Sequence, residues 1–457
     1  MSQNFSQYYR SPDEYARYAV DRPLTGSAGY FRWDQDAICY GRTSSGAVAD
    51  HVEAVSYDAE SDVAMRGECP SMPFDPEEVT ENLLRERYAS HFREPGRLSN
   101  ELIRKAYYAV RPLLGVAIRK HFQKMHLRKW DQIPFPAWPV DCTVDSIHRK
   151  RFALAMKARG VEKAPFIWFW PDNFTSCVII THDVEGPAGR DFCTELMDLD
   201  ASYGFHGSYQ VVPETRYEVT RRYLDSIVAH GCEVNVHDLK HDGRLYAEHE
   251  EFKRRAKQIN EYGREFGARG FRSGVLYRNA DWYDALDFLY DMSMPNVAHL
   301  DPQRGGCCTV MPYFIGNMVE LPVTCTQDYS LFHILGDYST VLWKKQIDLI
   351  RSQFGLMSIL VHPDYVMEQR EQTLYRELLQ HLANLREETR MWSPLPVEAA
   401  EWWQQRSQME LVQRDGQWRI EGPGKERARI AYAHLANGVL TYTIEGAADS
   451  VTCDTAV

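Results

Sequence analysis

No stretch of this chain approaches the roughly 20 apolar residues that a membrane-spanning helix needs. Apolar runs such as PFIWFW (165–170) and SCVII (176–180) are far too short. The first residues, MSQNFSQYYRSPDEYARY, have neither the basic segment nor the apolar core of a secretory leader, so the expected location is the cytoplasm. Basic charge is not in excess: 52 Lys and Arg stand against 64 Asp and Glu, a formal net charge of −12. That balance argues against a partner held by its phosphate backbone, and nucleic acid is not expected. Ten cysteines are present but no CxxC pair, which removes the common structural zinc and dithiol redox motifs. Several cysteines lie inside apolar runs and are expected to be reduced and structural.

What remains is a chain of 457 residues with 44% hydrophobic and 25% charged residues, enough for several domains or one large barrel with appendages. Residues 1–75 are rich in Tyr, Gly, Ser and Asp without helical period and read as irregular β or loop structure. Asp75-Pro76-Glu77-Glu78 then supplies a capping carboxylate, a proline at the first helical position and acids in the first turn, so a helix is expected through NLLRERYASHF. A second helical stretch, 100–130, is aromatic and then basic (Arg119, Lys120, Lys124, Arg128, Lys129). It reads either as a face packed on a neighbouring domain or as a peripheral contact with an anionic membrane surface. IPFPAWPV (133–140) carries three prolines and is expected to be an extended strap.

From about 165 to 390 short apolar strands alternate with amphipathic helices, the pattern of a parallel α/β sheet or (β/α) barrel. Strands are expected at CVII (177–180), GSYQVV (207–212), CEVNV (232–236), GFR (270–272), MVELPV (318–323) and MSILV (357–361). Helices are expected over ELMDLDASY, TRYEVTRRYLDSIVAH, 248–266, DWYDALDFLYD, TVLWKKQIDLIRSQF and 366–390. SPLPVEAAEWW reads as a connection, and the segments from 408 onward alternate as antiparallel strands. The expected parts are an N-terminal extension (1–140), a catalytic barrel (141–392) and a small C-terminal β unit (405–457).

In parallel α/β architectures functional side chains gather at the carboxyl ends of strands, where the loops converge. Four expected strands end in groups of catalytic type: His182, Asp183 and Glu185 after the first, then His237, Arg272 and His362. His237-Asp238-Leu239-Lys240-His241 sets two imidazoles four residues apart, on one side of a helical turn, within reach of one divalent cation. A third ligand from Asp183 or Glu185 would leave an open position, as catalytic rather than structural zinc sites do.

The order THDVE (181–185), HDLKH (237–241), FRSGVLY (271–277) and LVH (360–362) resembles the NodB-like polysaccharide deacetylases, carbohydrate esterase family 4. SYGFHGSYQVV (202–212) and AHGCEVNVH (229–237) frame the motifs in a similar way, and the resemblance covers about 170–365. It implies a distorted (β/α)7 barrel, a divalent metal, commonly zinc, and hydrolysis of an N-acetyl group on an amino sugar or oligosaccharide. Carried over by position, His237 and His241 are similar to the metal imidazoles, His362 to the general acid, Arg272 to the arginine that orients the base, and Asp183 to that base. The first motif departs from the family's TFDDG because Val184 separates Asp183 from Glu185. Residues two apart on a strand point the same way, so Glu185 can supply the carboxylate ligand; the reverse assignment stays open. The third motif departs too, with Ser273-Gly274-Val275-Leu276-Tyr277 where the family has Pro and a closely spaced Tyr, the stretch on which the usual backbone oxyanion donor and the sugar specificity depend.

Two other functions fit the same residues: hydrolysis of a small cyclic amide on this barrel, or a catalytically silent sugar-binding or scaffold protein of polysaccharide biosynthesis. The aromatic residues Trp168, Trp170, Tyr209, Tyr277 and Trp282 favour a sugar, since such rings stack on pyranoses. With a cytoplasmic location, the expected substrate is an intracellular nucleotide- or lipid-linked precursor or oligosaccharide.

Overall fold

Seven short parallel strands form the centre of the molecule, in a computed structural model that describes residues 3–34, 37–92 and 127–446. They are β1 (Ser176–Val184), β2 (Gly207–Val211), β3 (Glu233–His237), β4 (Gly270–Arg272), β5 (Tyr290–Asp291), β6 (Met318–Glu320) and β7 (Leu356–Leu360). Across the sheet they run β7-β1-β2-β3-β4-β5-β6, so the chain winds in sequence order and its last strand returns beside its first. Tyr313–Ile315 adds antiparallel to β6, and Met391–Trp392 pairs with the start of β1. The crossovers are α1 (Pro187–Ser202), α2 (Arg221–Ala229), α3 (His249–Phe266) and α4 (Val341–Ser352), and α5 (Gln369–Thr389) follows β7. Strand alternation sorts the faces. Val178, Ile180 and Val184 of β1 pack outward with Leu196 and Leu378, whereas Cys177 and Ile179 face another core.

The sheet is an open path rather than the closed ring the family resemblance implies. Among the described residues no ladder joins β6 to β7. Backbone N–H groups of Val319, Leu321 and Val323 donate toward β5, to Leu289, Asp291 and Met294, and the other edge of β6 is taken by Tyr313–Ile315, so contact with β7 runs through the residues after β6. Side-chain bonds fill in: Thr324 Oγ1 donates to Leu356 O (2.7 Å) and accepts from Ser358 N (2.9 Å).

Several elements differ from the sequence reading. The helix expected over DWYDALDFLYD is a 3-10 turn, Ala280–Ala285, followed by β5. Gly270 makes this strand possible, because a Cβ there would stand 2.3 Å from the Tyr290 ring. The helix after β2 begins only at Arg221, capped by Thr220. SPLPVEAAEWW is not a connection but the start of a helix, Pro396–Ser407. Asp75 does cap the N-terminal helix, accepting from Glu77 N (2.9 Å) and Glu78 N (3.4 Å). That helix ends at Leu84 rather than running on through Phe92. Glu86 adopts φ 54°, which turns its carboxylate into a buried ion pair with Arg278.

Lys163–Ile167 pairs antiparallel with Ile430–Ala436, which in turn pairs with Val439–Ile444. The basic stretch expected at 100–130 and its membrane contact lie almost wholly outside the described residues. Among those described, no helix is long and apolar enough to cross a membrane. The nine described cysteines are free thiols.

Candidate active site

Four strand ends converge on one buried cluster. Arg272, fully buried at the end of β4, donates from Nη1 to Asp183 Oδ1 (2.8 Å) and to Thr181 Oγ1 (2.9 Å), and from Nε to Met292 O (2.8 Å). These bonds fix the guanidinium and, through it, the Asp183 carboxylate. Glu185, two residues further on the same face, places Oε1 2.8 Å from His241 Nε2, 3.9 Å from His237 Nε2 and 3.6 Å from His362 Nε2. Asp183 Oδ2 stands 3.6 Å from His237 Nε2. The six residues singled out in the sequence, Asp183, Glu185, His237, His241, Arg272 and His362, thus lie together. His182 does not join them. Its odd-even position turns it to the other face, where it bonds Val361 O (3.0 Å) and Asp200 Oδ2 (2.8 Å).

The two imidazoles approach each other without a helical turn. His237 ends β3, and Asp238 (φ 56°), His241 (φ 50°) and Gly243 (φ 72°) are left-handed, so the following residues form an irregular loop. The ring centroids are nevertheless only 4.8 Å apart. Arg272 O organises this loop by accepting from Asp238 N (2.8 Å) and bonding His237 Nδ1 (3.1 Å). A carbonyl can only accept, so Nδ1 carries the proton and Nε2 turns its lone pair inward. Gly274 closes against the same loop; a Cβ there would stand 2.6 Å from Asp238 Oδ2 and 3.0 Å from His241 Cδ2.

Glu185, His237 and His241 have ligand atoms that all lie within 4.8 Å of one another. His237 Nε2 and His241 Nδ1 are buried without a hydrogen-bond partner, and His241 Nε2 faces the Glu185 carboxylate at 2.8 Å. An orphaned buried nitrogen is costly, and a divalent cation held by one nitrogen of each imidazole and by the Glu185 carboxylate would give His237 Nε2 a partner. The residues present therefore fit a metal ion. Asp183 is outside this group of three and is engaged by Arg272.

Charge follows geometry. Burial pushes the Asp183 and Glu185 carboxyls up. Arg272, His237 and His362 outweigh it at Asp183, and His241, His237 and His362 at Glu185, so both stay below the usual carboxylate range. Burial opposes a charged His362, but the Asp328 carboxylate, then Glu185 and Asp183, raise it to about 10. Asp328 Oδ1 lies 2.6 Å from His362 Nδ1, and Oδ2 accepts His362 N at 2.8 Å. Sequence reasoning missed Asp328. It lies 34 residues before His362, in an irregular segment with no motif to mark it.

Four of the five aromatic residues expected to line the cleft are elsewhere. Trp168, Trp170 and Tyr209 are fully buried in apolar cores, and Trp282 stacks on His249 and Tyr246. Tyr277 is partly exposed. The Tyr365 ring packs on His362, with centroids 5.1 Å apart, and Tyr329 and His333 pack on Tyr365 in turn. Leu276, Val323 and Leu360 form a small separate apolar cluster beside the site.

No protein-family model matches this chain, and no curated protein matches it. Solved structures similar to it include a Mycobacterium smegmatis protein assigned to the polysaccharide deacetylases, at 19% identity, TM-score 0.42, covering 52% of this chain and 92% of that one. Another is the PuuE allantoinase, at 12% identity and TM-score 0.41, over 51% of this chain and 92% of that one. A third is the peptidoglycan deacetylase PdaC from Bacillus subtilis, at 13% identity and TM-score 0.32, over 51% and 93%. Each of these similarities spans about half of this chain.

Proposed function

We propose that this protein is a metal-dependent amide hydrolase whose catalytic part (141–392) removes an N-acetyl group from an amino sugar or oligosaccharide. The observation that carries the reading is the trio Glu185, His237 and His241, with partnerless buried imidazole nitrogens, flanked by an ionised carboxylate and a protonated histidine. A divalent ion there, zinc by the family resemblance, would polarise the acyl carbonyl and acidify a water molecule.

The chain's own residues divide the remaining work. Asp183, ionised and held by Arg272, accepts the proton of the attacking water. His362, with Nδ1 held by Asp328, gives a proton from Nε2 to the departing nitrogen. Leu276, Val323 and Leu360 offer an apolar seat for the acyl methyl. The test is acetate release from N-acetylglucosamine oligosaccharides by the full chain, with zinc and after chelation. Equal release in both conditions, or none with zinc bound, would overturn the reading.

A further inference from the structure

The turn after His362 is locked to the loop that carries Glu185. Asp364 Oδ1 accepts from Gly189 N (3.1 Å) in the first turn of α1. A Cβ on Gly189 would stand 2.1 Å from Asp364 Oδ2, and one on Gly186 2.9 Å from Oδ1. The run Glu185-Gly186-Pro187-Ala188-Gly189 therefore has no side chain where the two loops meet, and this closeness sets Tyr365. Its ring centroid is 5.1 Å from that of His362, 5.1 Å from His333 and 5.3 Å from Tyr329. Tyr329 and His333, 5.3 Å apart, come from the segment just after Asp328, the partner of His362. Ser330–Leu335 is a π-helical turn, a wide geometry that recurs at functional sites. All three rings are partly exposed, while His362 beside them is buried.

The leaving group in amide hydrolysis at an amino sugar is the sugar itself, and its nitrogen must meet His362. The pyranose ring then lies one bond further out, beside Tyr365, which packs on His362, and the Tyr329 and His333 rings that pack on Tyr365. We propose that Tyr365, Tyr329 and His333 form the stacking wall for the amino-sugar ring whose N-acyl nitrogen faces His362. Tyrosine suits this place because it offers an apolar face to the C–H side of a pyranose and a hydroxyl at its edge. The inference rests on the amide-hydrolase reading and adds which face of the site takes the sugar.

The experiment uses the zinc-loaded full chain and N-acetylchitotetraose as probe, with Tyr329→Ala, Tyr365→Ala and Tyr365→Phe. Calorimetric Kd and kinetic KM for the tetrasaccharide should rise about tenfold in the two alanine variants and less in Tyr365→Phe. Zinc binding should be unchanged, and the loss on ethyl acetate, which has no ring to stack, should be smaller than on the tetrasaccharide. Unchanged Kd in both alanine variants, equal losses on both substrates, or loss of zinc would overturn the wall. Stacking-dependent binding with no acetate release would instead sink the hydrolase reading and leave the wall standing.

Discussion

Asp183 and Glu185 are chemically alike and two residues apart, yet their surroundings differ. Arg272 engages Asp183, whereas Glu185 meets an imidazole nitrogen at 2.8 Å. Asp183→Asn is expected to keep zinc and lose turnover by about 10²-fold or more, while Glu185→Gln should weaken zinc binding by about 100-fold. Metal analysis and acetate release on both variants separate the roles, and the opposite pattern exchanges them. Asp328 belongs to the same scale. Replacing it with Asn leaves His362 without the carboxylate that holds Nδ1, so kcat should fall by about 10²-fold with zinc binding intact. A fall in KM alone, or loss of metal, would place Asp328 outside the proton transfer. The residues at strand ends were legible because alternation and loop convergence are periodic. Asp328 was not, since its relation to His362 exists only once two separated segments lie side by side.

At the scale of elements, helices were readable where a glycine stops them. Gly267, φ 70°, closes α3 where the sequence places its end. They were misread where tertiary packing overrides local pattern, as in β5, whose two residues serve the sheet through Tyr290 and Asp291. The helix at 396–407 did carry its signal: Pro396 stands at the first helical position, and Glu398 reaches back to accept from Leu395 N at 2.8 Å. The HDLKH spacing also has two solutions, and the loop rather than the helical turn is realised. That loop depends on Gly274, where a Cβ would stand 2.6 Å from Asp238 Oδ2. Gly274→Ala should therefore displace His241 and lower zinc affinity by about 10-fold or more, with a smaller effect on folding. Zinc titration monitored beside thermal unfolding checks this, and wild-type affinity in the variant would show that the loop yields.

Over the whole molecule, the first and last strands and helices of the described residues meet in one aromatic core. Phe5, Tyr8 and Tyr9 pack with Phe152, Phe166, Trp168 and Tyr442, and the Tyr9 and Tyr442 hydroxyls are 2.6 Å apart. Segments expected to belong to the N-terminal extension, the catalytic part and the C-terminal β unit thus share buried surface. Arg406 joins them further, donating to Tyr8 O (2.8 Å), Ile167 O (2.7 Å) and Trp168 O (2.9 Å). Composition and periodicity carry no trace of such long-range contacts, which exist only once the segments lie side by side.

His148 makes this core sensitive to acid. It is buried on the helix Thr143–Ala158 with its ring 4.6 Å from Tyr8, and its Nδ1 has no hydrogen-bond partner. Burial, helped by the Arg151 charge, lowers it to about 3. The unfolded chain binds this proton near pH ~6.5, whereas the folded one does not until the pH nears its own lowered value. Stability is therefore full above the unfolded value and declines as the pH falls below it. One and a half pH units lower, at about pH 5, the loss is on the order of 2 kcal/mol. Asp145 on the same helix, raised by burial to about 6, works in the opposite direction, so the wild-type curve alone does not isolate His148. The comparison with His148→Gln does. The variant is expected to be less stable at pH 7, because its amide fits the aromatic contact less well, and to lose less Tm than the wild type between pH 7 and pH 5. Parallel Tm profiles for the two proteins over that interval would mean that His148 takes up its proton without opening the core.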